Sequence, residues 1–209
     1  MKQKGIMVVV SGFSGVGKGT IMKELMEKYD NYAFSVSATT RSPRDGEVDG
    51  REYFFITDEK FDEMVQEDRF IEYARYVKHS YGTPKSYVEE KMAEGKDVIL
   101  EIETQGALNV KRKYPDTLLV YVIPPSAKEL KRRLTERGTE NVEVIEARLK
   151  RAVEEADEIG SYDYVLVNDT VPEAVERLHS LIQSQHLLTV KNREEIARMK
   201  EELIALSGK

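Results

Sequence analysis

Short apolar runs alternate along most of the chain with segments whose apolar residues recur at helical spacing. The strand-like runs lie at residues 6–10, 97–103, 118–123 and 164–167. Helices are predicted at about residues 17–29, at 105–113, from Ser126 onward and through about residue 158. This alternation is typical of an α/β fold, in which a parallel sheet lies between two layers of helices.

A different pattern interrupts the alternation in the middle of the chain. Short strands are predicted at 33–37, 53–56 and 70–77, a turn at 81–84, and short helices at 59–67 and 85–94. We therefore expect an inserted lobe at 37–94 within a core formed by 1–36 and 95–190. A helical segment follows at 191–209, and the C-terminal stretch 180–209 packs either on its own core or on a partner subunit.

The composition narrows the class of protein. A chain of 209 residues with 40% hydrophobic residues suits one domain with an inserted lobe. The absence of cysteine excludes disulfides and thiolate metal sites. The first apolar run ends at Ser11, too short for a secretory signal, and no segment approaches the roughly 18 apolar residues of a membrane helix, so a cytoplasmic location is expected. The net charge of -6 argues against broad binding to nucleic acid.

The most informative motif follows the first strand. Residues 12–20 fit the phosphate-binding pattern G-x-x-x-x-G-K, with Gly12, Phe13, Ser14, Gly15, Val16, Gly17, Lys18, Gly19 and Thr20. Glycines allow the positive φ angles at which successive N–H groups point into one concavity, with a helix dipole behind them. Lys18 supplies a mobile cation for the outer phosphates. Because a strand precedes the motif and a helix follows it, we favour a nucleotide site over a glycine-rich hairpin.

Two arginines of the inserted segment are candidates for a phosphate clamp. Arg41 and Arg44 flank Pro43, and a stiff turn that holds two guanidinium groups close together suits a dianionic phosphate. From this loop alone, it is equally plausible that the two arginines are solvated on the surface and bind no ligand. Glu72 and Tyr81 are further candidates for ligand contact, although most such side chains face solvent.

Two carboxylates end the strand predicted at 97–103. A period of two places Glu101 and Glu103 on the same side of that strand, at its carboxyl end, where they face the ligand crevice. One is expected to order magnesium-bound water, and the other to accept hydrogen bonds from a base. Exposed charges at a strand end are the alternative.

Basic residues gather around a glycine-containing turn at 138–141. They are Lys131, Arg132, Arg133, Arg137, Arg148, Lys150 and Arg151. We expect a helical lid at about 126–158 that closes over a polyphosphate, while some of these side chains only solvate helix faces.

A phosphate loop alone does not separate a switch GTPase, an ATPase motor, a nucleotide kinase and a scaffold with a vestigial site. From residue 6 to about 178 the chain resembles the guanylate kinase family, and the matching blocks fall in that family's order. They are 11–18, 35–44 with Gly46 and Glu47 after it, 70–72, 81–83, 105–106, 124–126, 137–140 and 167–169. The Asn-Lys-x-Asp motif of switch GTPases does not follow the loop.

The resemblance implies an architecture and a reaction. The architecture is a P-loop NTPase three-layer α/β core with a parallel sheet, an inserted GMP-binding lobe and a helical lid. The reaction is in-line transfer of the γ-phosphate of MgATP to GMP, with dGMP as an open alternative. The resemblance also implies that Mg²⁺ is held mainly by phosphates and water, near Glu101 and Thr20.

Site residues carry over by position in the matching blocks. Those implied to hold GMP are Ser37, Arg41, Arg44, Tyr53, Glu72, Tyr81, Thr83 and Glu103. Those implied to act in catalysis are Lys18, Arg41, Arg133, Arg137 and Arg148. ATP is implied to bind residues 12–20, with Asn168 in the segment that borders the adenine.

Four positions depart from the commonest pattern of the family. Gly19 stands where a hydroxyl residue usually follows the lysine, so a direct Ser or Thr ligand to the metal is missing there. Glu101 and Glu103 stand where aspartates are frequent, and Thr83 where serine is frequent. A guanylate-kinase-like module that binds peptides without catalysis stays the alternative function, and a homo-oligomer is left open.

Overall fold

A computed structural model describes residues 4–75, 78–136 and 142–207. Its strands and helices follow in chain order: β1 (Met7–Gly12), α1 (Lys18–Lys28), β2 (Tyr32–Phe34), β3 (Ser37–Thr39), β4 (Tyr53–Phe55), α2 (Asp58–Gln66), β5 (Phe70–Arg75), β6 (Ser80–Pro84), α3 (Lys85–Ala93), β7 (Asp97–Glu101), α4 (Thr104–Lys113), β8 (Leu118–Ile123), α5 (Ala127–Glu136), α6 (Val142–Ala156), β9 (Tyr164–Val167), α7 (Val171–Gln185) and α8 (Arg193–Ser207). Within these three ranges, no helix is long and apolar enough to cross a membrane.

Five of the strands form a parallel sheet in the order β2-β7-β1-β8-β9. The central strand β1 buries both faces, because its side chains alternate between two hydrophobic cores. Val8 and Val10 pack with residues of α1 and α7, whereas Met7 and Val9 pack with residues of α3 and α4. Full burial of such a side chain contributes about 1.5–3 kcal/mol, so the strand that leads into the phosphate motif is firmly held. The predicted α/β core is confirmed.

The other four strands form a separate mixed sheet in the order β4-β3-β6-β5. β3 pairs with β4 in parallel and with β6 antiparallel, and β5 pairs with β6 antiparallel. Its small core combines Phe61 and Met64 of α2 with Ala38 and Phe70. This sheet faces the carboxyl edge of the core sheet across a cleft, because residues of both sheets line that cleft.

Two predicted elements in this part of the chain are wrong. The run at 33–37 is not one strand: β2 joins the core sheet and β3 joins the second sheet, and an alternating pattern does not say which sheet a strand joins. The turn predicted at 81–84 is the strand β6. Gly82 permits close packing there, because a Cβ atom would lie 2.9 Å from Cδ1 of Phe70. Pro84 is the last residue of β6, where a missing N–H is tolerated.

The starts of two helices agree with the sequence signals. The Thr57 hydroxyl accepts a hydrogen bond from the N–H of Lys60 and caps α2. The Ser126 hydroxyl accepts one from the N–H of Glu129 at 3.1 Å, so α5 begins where the capping box predicts. These caps satisfy backbone N–H groups at the first turns of α2 and α5.

Candidate active site

The carboxyl ends of β1 and β7 open into a cleft of about 760 Å³. Gly12 and Lys18 line it from the phosphate motif, Glu72 and Tyr81 from the second sheet, and Arg148 from α6. Ligands of α/β sheets bind at the carboxyl ends of the strands. The cleft therefore brings side chains from the predicted donor, acceptor and lid groups to one place.

The backbone of the phosphate loop, residues 12–20, requires glycine at three positions, and at Gly12 a Cβ atom would lie 2.4 Å from the carbonyl oxygen of Val122. Gly15 and Gly17 have φ angles of +84° and +97°, which side-chain-bearing residues rarely adopt. A Cβ atom at Gly15 would lie 2.5 Å from Cδ2 of Leu134, and one at Gly17 would lie 2.7 Å from Nδ2 of Asn168. Both conformation and close packing thus exclude larger residues, and α1 begins directly after Gly17. Its N-terminal N–H groups and dipole favour an anion at the loop.

Lys18 lies over the loop and shares its surroundings with Glu101. Its Nζ donates hydrogen bonds to the carbonyl oxygens of Gly12 at 2.7 Å and Phe13 at 3.3 Å. Desolvation raises the pKa of the Glu101 carboxyl, and the charge of Lys18 opposes that rise. Glu101 is solvent-accessible, yet it lies at the end of β7 where the protein partly displaces water. A cation and a carboxylate therefore flank the place where phosphates would enter.

Arg133 and Asn168 both hold the backbone of the phosphate loop by hydrogen bonds to the carbonyl oxygen of Val16. Arg133 of α5 donates to the carbonyl oxygens of Val16 at 3.2 Å and Asp169 at 3.3 Å, and to the carboxylate of Glu129 at 2.7 Å. Asn168 is 2% exposed, and its amide donates to the same Val16 oxygen at 2.8 Å. In this arrangement Asn168 holds the backbone of the phosphate loop in place.

Arg148 reaches the loop from α6. Its guanidinium donates a hydrogen bond to the hydroxyl of Ser14. A guanidinium in this position is suited to bind the phosphates of a nucleotide seated on the loop. Arg137, the other lid arginine implied by the resemblance, lies outside the described residues.

Glu72 forms the wall of the cleft on the side of the second sheet. The hydroxyl of Thr83, a fully buried residue of β6, donates to Oε1 of Glu72 at 2.9 Å. Burial raises the pKa of Glu72, and the hydrogen bond from Thr83 opposes this effect. Oε2 lies 3.5 Å from the position of a Cβ atom at Gly106, on the cleft wall. Ser37, the first residue of β3, lines the same cleft.

The prediction that Glu101 and Glu103 share one side of a strand is wrong. β7 ends at Glu101, and Glu103 is the N-cap residue of α4, with φ -71° and ψ 159°. The strand ends early because the chain turns into α4, so the period of two does not apply to this pair. Both residues still line the cleft. Arg151 of α6 donates to Oε2 of Glu103 at 2.9 Å and to Glu155 at 2.9 Å.

The predicted phosphate clamp contains a carboxylate. Arg41 donates two hydrogen bonds of 2.9 Å to Glu47, and its guanidinium lies over the rings of Tyr53 and Phe55, at 5.3 and 5.8 Å from their centroids. The same carboxylate accepts from the backbone N–H of Arg44 at 2.7 Å. The Arg41 hydrogen bonds, then that of the Arg44 backbone, lower the pKa of Glu47. Glu47 thus fixes the geometry of the turn and holds Arg41 against the aromatic wall.

Comparison with known proteins identifies the family. The guanylate kinase family model matches residues 4–185. The chain is 45% identical to the guanylate kinase of Caldanaerobacter subterraneus subsp. tengcongensis, over 98% of this chain and 99% of that one. It is 49% identical to the guanylate kinase of Lactococcus lactis subsp. lactis, over 89% and 91%. The chain belongs to the guanylate kinase family.

The fold of this guanylate kinase also matches a solved structure. The crystal structure of guanylate kinase from Anaplasma phagocytophilum aligns with a TM-score of 0.71 at 29% identity, covering 93% of this chain and 94% of that chain. The α/β class, with a parallel sheet and a separate mixed sheet, is thereby confirmed.

Three side chains of the site lie outside the site residues that the resemblance implies, although Arg151 is among the basic residues predicted around the lid. Glu47 pairs with Arg41, Arg151 pairs with Glu103, and Glu155 pairs with Arg151. The signal for Arg151 was its spacing, since residues three apart share a helix face and Arg148 lies three positions earlier. The pairing of Glu47 with Arg41 within one loop depends on how that loop folds.

Proposed function

We propose that this guanylate kinase holds two nucleotides in one cleft, with ATP on the phosphate loop and GMP against the second sheet. The reaction is transfer of the γ-phosphate of ATP to GMP, which gives ADP and GDP. The observation that carries the proposal is that Lys18, Glu72 and Arg148 line a single cleft. In-line transfer requires donor and acceptor phosphates side by side, which a shared cleft permits.

Mg²⁺ accompanies ATP in this proposal. Among residues 4–75, 78–136 and 142–207, no cluster of three or more His, Cys, Asp or Glu side chains is arranged to hold a metal ion. Mg²⁺ usually keeps several waters and binds through one or two carboxylates plus substrate phosphates, so the sparse donor set of Glu101 and Thr20 fits it. Bound there, it would neutralise charge on the phosphates. Gly19 adds no hydroxyl beside Lys18, in keeping with coordination by phosphate and water.

The side chains of the proposed site divide into two groups. Arg41, Arg44, Tyr53 and Tyr81 hold the GMP phosphate, and Lys18, Arg133, Arg137 and Arg148 neutralise charge around the transferring group. The acceptor is a phosphate oxygen that is already anionic near pH 7, so no strong general base is needed. Catalysis then rests on positioning and on charge neutralisation.

The residues of the GMP subsite come from one segment of the chain and from the start of α4. We propose residues 37–94 as the GMP-binding lobe, about 126–158 as the lid, and 1–36 with 95–190 as the core. Glu72 and Glu103 accept hydrogen bonds from guanine, with Ser37 and Thr83 beside them. Adenine lacks the N1–H and exocyclic amine that guanine presents at this edge, and a buried carboxylate left unpaired penalises the wrong base strongly.

A panel of nucleoside monophosphates tests the proposal. Purified chain with MgATP is given GMP, dGMP, AMP, CMP or UMP, and ADP release is measured. We expect ADP release with GMP and little with AMP, CMP or UMP. A Lys18→Ala variant prepared in parallel gives the background of contaminating kinases. ADP release that does not depend on GMP would reject the proposal in favour of an ATPase, and release equal to that of the variant would favour a binding module.

A further inference from the structure

Arg151 lies in the substrate cleft between two carboxylates. Its Nη2 donates to Oε2 of Glu103 at 2.9 Å, and its Nε donates to Oε1 of Glu155 at 2.9 Å. All three side chains line the cleft. A guanidinium that forms bonds through two of its nitrogens has a defined orientation, so the position of Arg151 fixes that of the Glu103 carboxylate.

Glu103 needs such a partner because its own helix does not hold its side chain. It is the N-cap residue of α4, and within the described chain its carboxylate makes no capping hydrogen bond. The side chain is more than half exposed, so packing alone does not select one rotamer. A carboxylate that accepts a hydrogen bond from a base has to be held in one orientation, and ordering it only on binding would weaken the affinity.

Glu155 connects Arg151 to the core sheet. Its Oε2 accepts a hydrogen bond of 3.4 Å from the hydroxyl of Tyr121, a fully buried residue of β8. The ring of Tyr121 packs edge-on against Phe13 of the phosphate loop, with the ring centroids 5.3 Å apart. Contacts therefore run from the core at Tyr121 through Glu155 and Arg151 to Glu103.

The helix α6 presents Arg151 to the cleft. Arg148, Arg151 and Glu155 are spaced by three and four residues, so they share one face of the helix. An adjacent face, with Ile145 and Leu149, packs on α5. The same face of α6 thus brings Arg148 to the phosphate loop and Arg151 to the proposed guanine subsite.

We propose that Arg151 is a positioning residue for guanine recognition: it holds Oε2 of Glu103 and leaves Oε1 for a donor of the base. The role assigned to Arg151 rests on the proposed function, in which Glu103 accepts a hydrogen bond from guanine. The ion pair itself adds little to stability, because the side chains of Arg151 and Glu103 are 57% and 58% exposed. Its effect is therefore expected in the affinity for GMP.

Calorimetry of GMP binding to the full chain tests this role apart from the phosphoryl transfer step. Arg151→Ala should raise the Kd for GMP about two- to fivefold, the size of effect typical of one exposed ion pair. The Kd for ATP and the Tm should hardly change. Arg151→Lys keeps the charge beside Glu103 and should recover part of the loss. Glu154→Ala, at an exposed position of the same helix, is the control for effects on the helix itself and should bind GMP like the wild type.

Removing Glu103 separates positioning from a general effect of charge. In a Glu103→Ala background, Arg151→Ala should change the Kd for GMP little, because the group that Arg151 positions is gone. Attraction between Arg151 and the GMP phosphate would persist in that background, so an undiminished effect there would overturn the positioning role. An Arg151→Ala variant that binds GMP as well as the wild type, or better, while Glu103→Ala binds it more weakly, would overturn it too. If Glu103→Ala itself binds GMP like the wild type, the assignment of Glu103 to guanine in the proposed function is wrong, and the role of Arg151 falls with it.

Discussion

Replacing Glu72 with glutamine tests the proposed contact to guanine with little disturbance of the fold. The substitution keeps the shape of the side chain, and its amide oxygen still accepts the hydrogen bond that Thr83 now donates to Oε1 at 2.9 Å. It removes the charge and places an N–H donor where guanine also presents donors. The variant should therefore lose GMP recognition and remain folded.

The structure sets the size of the effect. Because Oε1 is engaged by Thr83, Oε2 at the cleft wall is the oxygen left for guanine. A hydrogen bond to a charged group contributes about 1.5–3 kcal/mol, and each 1.36 kcal/mol is a factor of ten, so kcat/KM for GMP should fall about 10- to 150-fold. The KM for ATP should hardly change, since the phosphate loop lies on the other side of the cleft.

The assay is ADP release with GMP varied at saturating MgATP, and then with ATP varied at saturating GMP. Thr83→Ser is the matched control, because it keeps the hydroxyl that positions Glu72, and it should stay close to the wild type. A loss below about twofold in kcat/KM for GMP, or an equal rise in both KM values, would refute the assignment of Glu72 to guanine.

Three further predictions concern the clamp, the pH profile and the loop. Arg41→Ala should raise the KM for GMP about tenfold or more while the KM for ATP changes little, and Arg41→Lys should restore part of the loss; equal changes in both would reject the clamp. Because burial raises the pKa of Glu72, its ionised form is lost as pH falls through that raised value. The acid limb of kcat/KM for GMP should thus lie above the ordinary glutamate range and disappear in Glu72→Gln, and an unchanged limb would exclude Glu72 as its source. Gly17→Ala imposes a side chain at φ +97°, 2.7 Å from Asn168, and should lower Tm by about 2–8 °C, whereas Gly19→Ala, with open space around its Cβ, should not; equal Tm values would contradict this.

The core of the fold was predictable because its signals are local and agree with one another. Buried parallel strands such as β1 and β8 are continuous apolar runs, and both begin and end close to where the sequence places them. The second sheet was less accessible to prediction. Its strands are three to six residues long. Gly82 is part of β6 because it packs closely against Phe70, but in the sequence a glycine followed closely by a proline is typical of a turn.

The candidate site, like the fold, has one part that the sequence predicts and one part that it does not. The phosphate loop is one contiguous motif, and each of its residue types has a physical role in binding phosphate, so all of its residues were predictable from the sequence. Glu47 meets Arg41 because of how the loop between β3 and β4 folds, and Arg151 meets Glu103 across separate elements, and a linear pattern contains neither contact. The early end of β7 shows a further limit, since the periodicity that joins Glu101 to Glu103 stops where the chain turns into α4.

Transfer of labelled phosphate tests the central claim most directly. The chain is incubated with ATP labelled at the γ-phosphate, Mg²⁺ and unlabelled GMP, and the nucleotides are separated. The two-nucleotide cleft predicts that the label moves to the β-position of GDP, with no matching release of inorganic phosphate. Label that stays in ATP, or appears as inorganic phosphate whether or not GMP is present, would contradict it.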